Sequence, residues 1–222
     1  MKNRIIDLSF TFKDNFPNYP ILPKMAFKQI MTIGVDGSPS NVTMISMPTH
    51  GGTHFDAPSH QVIGARTVDN VPAEQCVGDA ILLDLSYKYG SDNLEIQVEE
   101  LLVYADKIKE NDIVIINTGC YAHPEEFSSF GHLSKKAAEW LVKKKIKLLG
   151  VDTPSVDLGV PVGEQMPIHQ IILGNDISII EGLANLNEIT QERFYFIGLP
   201  LKIEDADGGP VRAIAIEQRP EV

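Results

Sequence analysis

Apolar residues along this chain gather in short runs, and no long amphipathic stretch dominates. The β-rich runs are Arg4–Leu8, Val42–Met47, Asp79–Leu85, Asp112–Ile116, Lys147–Val151, Phe194–Ile197 and Val211–Ile216. Several are continuous instead of alternating, the pattern of strands covered on both faces. A helix is predicted over Val98–Ile108. A second begins after Ser134, whose hydroxyl suits an N-cap, and carries Ala137, Ala138, Leu141 and Val142 along one side. It ends in Lys143–Lys145, cations that complement the C-terminal end of the helix dipole. Asp205–Pro210 reads as a turn between apolar runs, because Gly and Pro accept turn dihedrals at little cost.

Strands alternate with helices in the middle of the chain and cluster at both ends. That order predicts an α/β fold with a mixed sheet and some antiparallel pairing. No repeat, low-complexity segment or linker divides the 222 residues, so a single domain over 1–222 is expected.

Composition narrows the class of partner. A formal net charge of −11 argues against nucleic acid, whose phosphates must be neutralised by Lys and Arg, and against anionic membrane surfaces. A small-molecule substrate is the expected partner. Two cysteines, Cys76 and Cys120, form no CxxC pair and suit a reducing compartment. No apolar run approaches the roughly 20 residues needed to span a bilayer, and the N-terminus lacks a signal-type apolar core. A cytoplasmic protein is expected.

The segment His50-Gly-Gly-Thr-His54-Phe-Asp56-Ala-Pro-Ser-His60 changes the picture most. Six histidines spread over the chain predict about 0.3 in an eleven-residue window, and this one holds three. Imidazole and carboxylate are ligands that suit Zn²⁺, Mn²⁺ or Fe²⁺. The glycines and Pro58 make a helix improbable here. In extended backbone His54 and Asp56 share a face, and Gly51-Gly52 let the chain turn His50 onto it. His60, beyond Pro58, can approach the same pocket without binding metal. Surface or core histidines are the plain alternative.

Downstream, His169 and Glu181 are the available further ligands. On residue chemistry alone His169 reads first as a hydrogen-bonded structural histidine, and Glu181 as an ordinary carboxylate before Gly182. Asp152 and Asp157, after a predicted strand, suit either turn capping or orientation of a ligand histidine. Cys120 with His123 is a weak Cys–His pair without an oxyanion motif. The 159–163 segment, Gly-Val-Pro-Val-Gly, lacks the Lys-Ser/Thr of a phosphate loop.

The window His50–His60 resembles the HxGTHxDxPxH signature of the cyclase family of metal-dependent hydrolases, which includes bacterial kynurenine formamidase and isatin hydrolase. Every fixed position is present. Ile6-Asp7-Leu-Ser, Asn117-Thr-Gly119, Gly150-Val-Asp152-Thr-Pro154-Ser, Leu199-Pro-Leu and Gly209-Pro-Val-Arg212-Ala are similar as well, so the likeness runs along nearly the whole chain. It implies a swivelling β/β/α domain, usually a homodimer or homotetramer with a neighbouring subunit near the pocket. It also implies two divalent ions per subunit. His50, His54 and Asp56 would hold the first, with Asp56 bridging; His169 would hold the second, and Glu181 would contact one or both. His60 would be the general acid/base. Formamidases of the family carry a substrate-contacting Trp before a Pro; the nearest match is Tyr19-Pro20, where a Tyr packed in a Pro-rich loop is the alternative.

The ligand types favour Zn²⁺, with Mn²⁺ second. Two such ions would bring the pKa of a bound water toward ~7. The reaction this resemblance implies is hydrolysis of an aryl formamide, with a cyclic amide or lactone as the second choice. His60 would carry the proton, since imidazole's ordinary pKa of about 6.5 suits both directions of transfer. A metal-containing binding module without catalysis is the alternative of a different class.

Overall fold

The structure is a computed structural model that describes residues 3–123, 129–158 and 165–218. In chain order its strands are β1 Arg4–Asp7, β2 Ala26–Met31, β3 Val42–Ser46, β4 His54–Asp56, β5 Val77–Asp84, β6 Glu95–Ile96, β7 Ile113–Asn117, β8 His132–Leu133, β9 Leu148–Val151, β10 Ser178–Glu181, β11 Arg193–Ile197, β12 Gly208–Pro210 and β13 Ile214–Glu217. The α-helices are α1 Val98–Leu102, α2 Lys135–Lys143 and α3 Pro167–Leu173.

Nine strands form one mixed sheet in the order β1-β13-β11-β5-β7-β9-β10-β4-β12. The central strands β5, β7, β9 and β10 run parallel, and antiparallel strands extend the sheet on both sides. This is the mixed α/β architecture expected. β7 shows why the central runs are continuous. Val114 and Ile116 face a core shared with Ala137, Leu141, Ile168 and Ile172 of α2 and α3. Ile113 and Ile115 face the opposite core with Phe55, Ile180, Phe196 and Ala215. A strand buried on both sides needs apolar residues at every position. In α2, Ser134 accepts a hydrogen bond from Ala137 N, capping the helix as its sequence predicts.

Two expectations are corrected. The Val98–Ile108 helix stops at Leu102: Val103 beyond it is 71% exposed, and the chain continues in hydrogen-bonded turns that return Ile108 to the core. Asp205–Pro210 is not a turn throughout: Gly208–Pro210 is β12, paired antiparallel with β4. The Val42–Met47 run does form β3, but each of its residues from Val42 to Ser46 is exposed. It pairs only with β2, outside the main sheet.

Candidate metal centre

Strand pairing assembles the centre from segments far apart in the chain. In β4, Phe55 points into one core, so His54 and Asp56 point to the other face, where α3 packs. β10 lies beside β4 with Glu181 opposite His54. α3 brings His169, which is 1% exposed. The turn between β10 and this site depends on Gly182. Its φ is +64°, and a Cβ there would stand 2.3 Å from the Gly52 carbonyl oxygen, so only glycine lets the two ligand-bearing segments close on each other.

Each inward-facing imidazole has its second nitrogen engaged. His54 Nδ1 donates to the Gly52 carbonyl at 3.0 Å, leaving Nε2 3.4 Å from Asp56 Oδ1 and 3.5 Å from Glu181 Oε2. His169 Nδ1 donates to Asp157 Oδ2 at 2.7 Å, leaving Nε2 3.2 Å from Glu181 Oε1 and 3.6 Å from Asp56 Oδ2. His50 Nε2 donates to Asp207 Oδ2 at 2.8 Å, and its Nδ1 lies 2.7 Å from Asp56 Oδ1. A partner on one ring nitrogen sets the tautomer and presents the other to a metal.

Asp56 thus divides its two oxygens. Oδ1 faces His50 and His54, and Oδ2 faces His169. Oδ2 is buried and lacks a hydrogen-bond partner, an expense that protein interiors avoid unless another group takes the lone pairs. Buried carboxylates converging with free imidazole nitrogens form a donor set that fits divalent cations. The geometry groups His50, His54 and Asp56 on one side and Asp56, His60 and His169 on another, each with donor atoms within 4.8 Å.

The electrostatics of the metal-free cluster follow from the same contacts. Burial pulls the His50 imidazolium down, but Asp56 and Asp207 outweigh it and lift it to about 9. His54 is opposed by burial in the same way and lifted to about 10 by Asp56 and Glu181. His169, fully buried, is held well above the usual range by Glu181, Asp157 and Asp56. Burial alone would raise Asp56, yet His54, His50 and His169 hold it well below the carboxylate range. Without metal, protons on these imidazoles balance the buried carboxylates.

The Cyclase family model matches residues 6–158, more than half of the chain. The protein belongs to the cyclase family. It is 32% identical over 217 residues to a kynurenine formamidase of Erythrobacter litoralis (strain HTCC2594), covering 97% of this chain and 95% of that one. Among solved structures, isatin hydrolase A from Labrenzia aggregata superposes with a TM-score of 0.89 at 25% identity, covering 98% and 94% of the two chains. A predicted metal-dependent hydrolase from Bacillus stearothermophilus superposes with a TM-score of 0.81 at 25% identity, over 98% of this chain and all of that one.

In this cyclase-family chain all five expected ligands, His50, His54, Asp56, His169 and Glu181, meet in one place. His60 joins them from the 3-10 turn Pro58–His60, its ring 3.9 Å from that of His50 and 5.6 Å from that of His169. Tyr19 lies in the loop that abuts this centre: the neighbouring Asn18 Oδ1 stands 2.6 Å from where a Gly51 side chain would begin. Asp157 combines both roles left open for it. Its oxygens accept from Ile168 N and His169 N at the start of α3 as well as from the His169 ring. Asp152 is a loop-capping group that accepts from Thr118 N and Oγ1, and burial lifts it to about 6. Cys120 is buried, and the His123 ring lies flat against Tyr89 at 4.5 Å. The 159–163 segment lies outside the described residues.

One residue escaped the sequence reading. Asp207, at the head of β12, touches both His50 and His60 and forms a third ligand-like group with them. The only available signal was a carboxylate immediately before Gly208-Gly209-Pro210, which also looks like turn chemistry.

Proposed function

We propose that this protein is a metal-dependent arylformamidase that hydrolyses formamides of the N-formylkynurenine type. The division of Asp56 between two groups of imidazoles is the observation that carries the reading, since a carboxylate so placed can bridge two cations. His50 and His54 would hold one ion with Asp56, and His169 the other, with Glu181 contacting one or both. Zn²⁺ is the first choice for a site of nitrogen and carboxylate donors, and Mn²⁺ the second. Bound there, the two ions supply Lewis acidity, which makes water more acidic and polarises a carbonyl oxygen.

The chain's own residues do the rest. His60 Nδ1 faces Asp207 at 3.4 Å, which leaves Nε2 to act on the substrate side. That nitrogen takes a proton from the attacking water and returns it to the leaving amine nitrogen. The products are formate and the free aryl amine. Tyr19 would stack on the aryl ring from the loop beside Gly51. A purely structural metal site would have no use for His60, which favours an enzyme over a binding module.

A second substrate class has a specific observation behind it. The isatin hydrolase likeness makes cyclic aryl amides an alternative for the same machinery, because opening such a ring is also amide hydrolysis. Metal content per chain, measured together with N-formylkynurenine and isatin hydrolysis before and after chelation, tests the reading. Close to two ions with metal-dependent formamidase turnover is the expected result. Two ions with isatin turnover alone would move the substrate to the ring class, and no bound metal would overturn the reading.

Three further properties belong to it. Both cysteines are buried and outside any disulfide, consistent with a reducing cytoplasm. Among the described residues no helix is long and apolar enough to cross a membrane. We read 1–222 as one domain that works as a homo-oligomer, a dimer or tetramer, because the β2–β3 ribbon exposes Ile30, Ile33, Val35, Met44 and Ile45 by about half or more.

A further inference from the structure

The loop entering β12 carries a carboxylate outside the five expected ligands, and His50 and His60 both converge on it. Asp207 Oδ2 lies 2.8 Å from His50 Nε2 and 3.4 Å from His60 Nδ1. Its other oxygen accepts from Thr49 Oγ1 at 3.0 Å, which fixes the plane of the carboxylate. The two imidazoles it serves lie against each other, centroids 3.9 Å apart and planes tilted by 36°.

The backbone holds Asp207 there from both sides. Its carbonyl accepts from Ala57 N at 2.9 Å, and the next residue, Gly208, pairs with Asp56 across β12 and β4. A Cβ on Gly208 would stand 2.4 Å from the Phe55 carbonyl oxygen and 2.9 Å from the His50 ring. The bare glycine is what lets β12 lie flush against the ligand strand and places Asp207 under both rings.

We propose that Asp207 is a positioning residue that sets His50 and His60 together from one carboxylate oxygen, tying the orientation of a metal ligand to that of the acid/base. Through His50 Nε2 it fixes the tautomer that turns Nδ1 toward Asp56. Through His60 Nδ1 it leaves Nε2 as the nitrogen that exchanges protons with the substrate. Because both hydrogen bonds end on one oxygen, neither ring can rotate without disturbing the other's partner. The inference rests on the metal-hydrolase reading above, but its structural half concerns only metal and imidazole.

The test uses the full chain with Asp207→Ala and Asp207→Asn. Asp207 is about half exposed, so neither change leaves an unfilled core. Loss of such an outer carboxylate is expected to weaken Zn²⁺ binding, read by chelator competition, by about 10- to 100-fold. In the Zn²⁺-saturated protein, Asp207→Ala should lower kcat on N-formylkynurenine by a similar factor of about 10 to 100 while KM stays within about twofold. The slowly exchanging imidazole N–H signal of His50 in the Zn²⁺-loaded wild type should vanish in Asp207→Ala. Asp207→Asn keeps an acceptor oxygen and should recover most of the Zn²⁺ affinity.

Unchanged affinity and unchanged kcat in Asp207→Ala would overturn the proposal. Weaker Zn²⁺ binding with wild-type kcat at saturation would overturn the tie to His60, and Asn as poor as Ala would overturn the acceptor geometry. A wild type inactive on N-formylkynurenine, in which Asp207→Ala still lost Zn²⁺ affinity and the His50 signal, would sink the substrate reading and leave the positioning role of Asp207 standing.

Discussion

Asp157 and His169 are joined twice: one carboxylate oxygen, Oδ2, accepts from the His169 backbone N at 3.1 Å and from its ring Nδ1 at 2.7 Å. One side chain thereby starts a helix and aims the histidine in its first turn. Asp157→Ala is expected to weaken metal binding by about 10- to 100-fold through loss of the ring contact. It should also cost about 1 kcal/mol of stability through loss of the helix cap. Chelator competition reads the first and thermal unfolding of the metal-free protein the second. An affinity equal to wild type would show that His169 needs no such support.

His54 and His60 should separate binding from turnover. His54 Nε2 faces both Asp56 and Glu181, whereas His60 approaches from a different turn with Asp207 as its partner. His54→Ala is expected to lose at least one equivalent of metal and with it activity. His60→Ala should keep its metal and lose turnover by roughly 10² to 10⁴, the usual worth of a positioned acid/base. Metal analysis beside steady-state rates distinguishes the two. A fully active His60→Ala would remove the proton-transfer role.

How much of this was legible beforehand depends on range along the chain. The His50–His60 segment could be read because its candidate ligands sit within eleven residues, with His54 and Asp56 alternating along one strand. His169 and Glu181 became candidates through family likeness alone. Their function depends on where α3 begins and on the register that sets Glu181 opposite His54, and neither is written in local periodicity. Asp207 was invisible for the same reason, since a carboxylate before two glycines reads as a turn until β12 is laid on β4. The Val42–Met47 run shows the limit of local pattern from the other side. It forms a strand as its β-rich composition predicts, but pattern alone does not tell a strand in the main sheet from one in an exposed ribbon.

The metal-free protein should lose stability as the pH rises from neutral. His50 stands at about 9 and His54 at about 10, because Asp56, with Asp207 and Glu181, outweighs the cost of burial. An unfolded imidazole titrates near 6.5, so the folded pKa values are the higher ones. Their contribution is fully present below pH ~6.5 and is lost as the pH climbs through the folded values. The Tm of the metal-free protein should therefore fall between pH 7 and 10. Metal loading takes neutral imidazoles, so the loaded protein should not follow that decline, and its metal affinity should rise over the same interval. A metal-free Tm that stayed level to pH 10 would contradict the buried imidazolium pairs.

The β2–β3 ribbon makes a prediction that reaches beyond one chain. Two isolated strands are marginal in water, and this pair leaves Ile30 52%, Met44 52% and Ile45 58% exposed, with Ile33 in the connecting segment 62% exposed and a register shift between Gln29 and Met31. A ribbon with so many exposed apolar side chains is expected to be covered by a second copy of the chain, since a specific interface needs only about 800 Å² from each partner. Ile45→Glu and Ile30→Glu place a charge in that contact, and burying an unpaired charge there is costly. Sedimentation or light scattering should then report a dimer or tetramer for wild type and a monomer for the variants. If the neighbouring subunit also completes the pocket, turnover falls with dissociation and returns at high protein concentration. A monomeric wild type would end the oligomer proposal, and variants that remained assembled would place the interface elsewhere on the molecule.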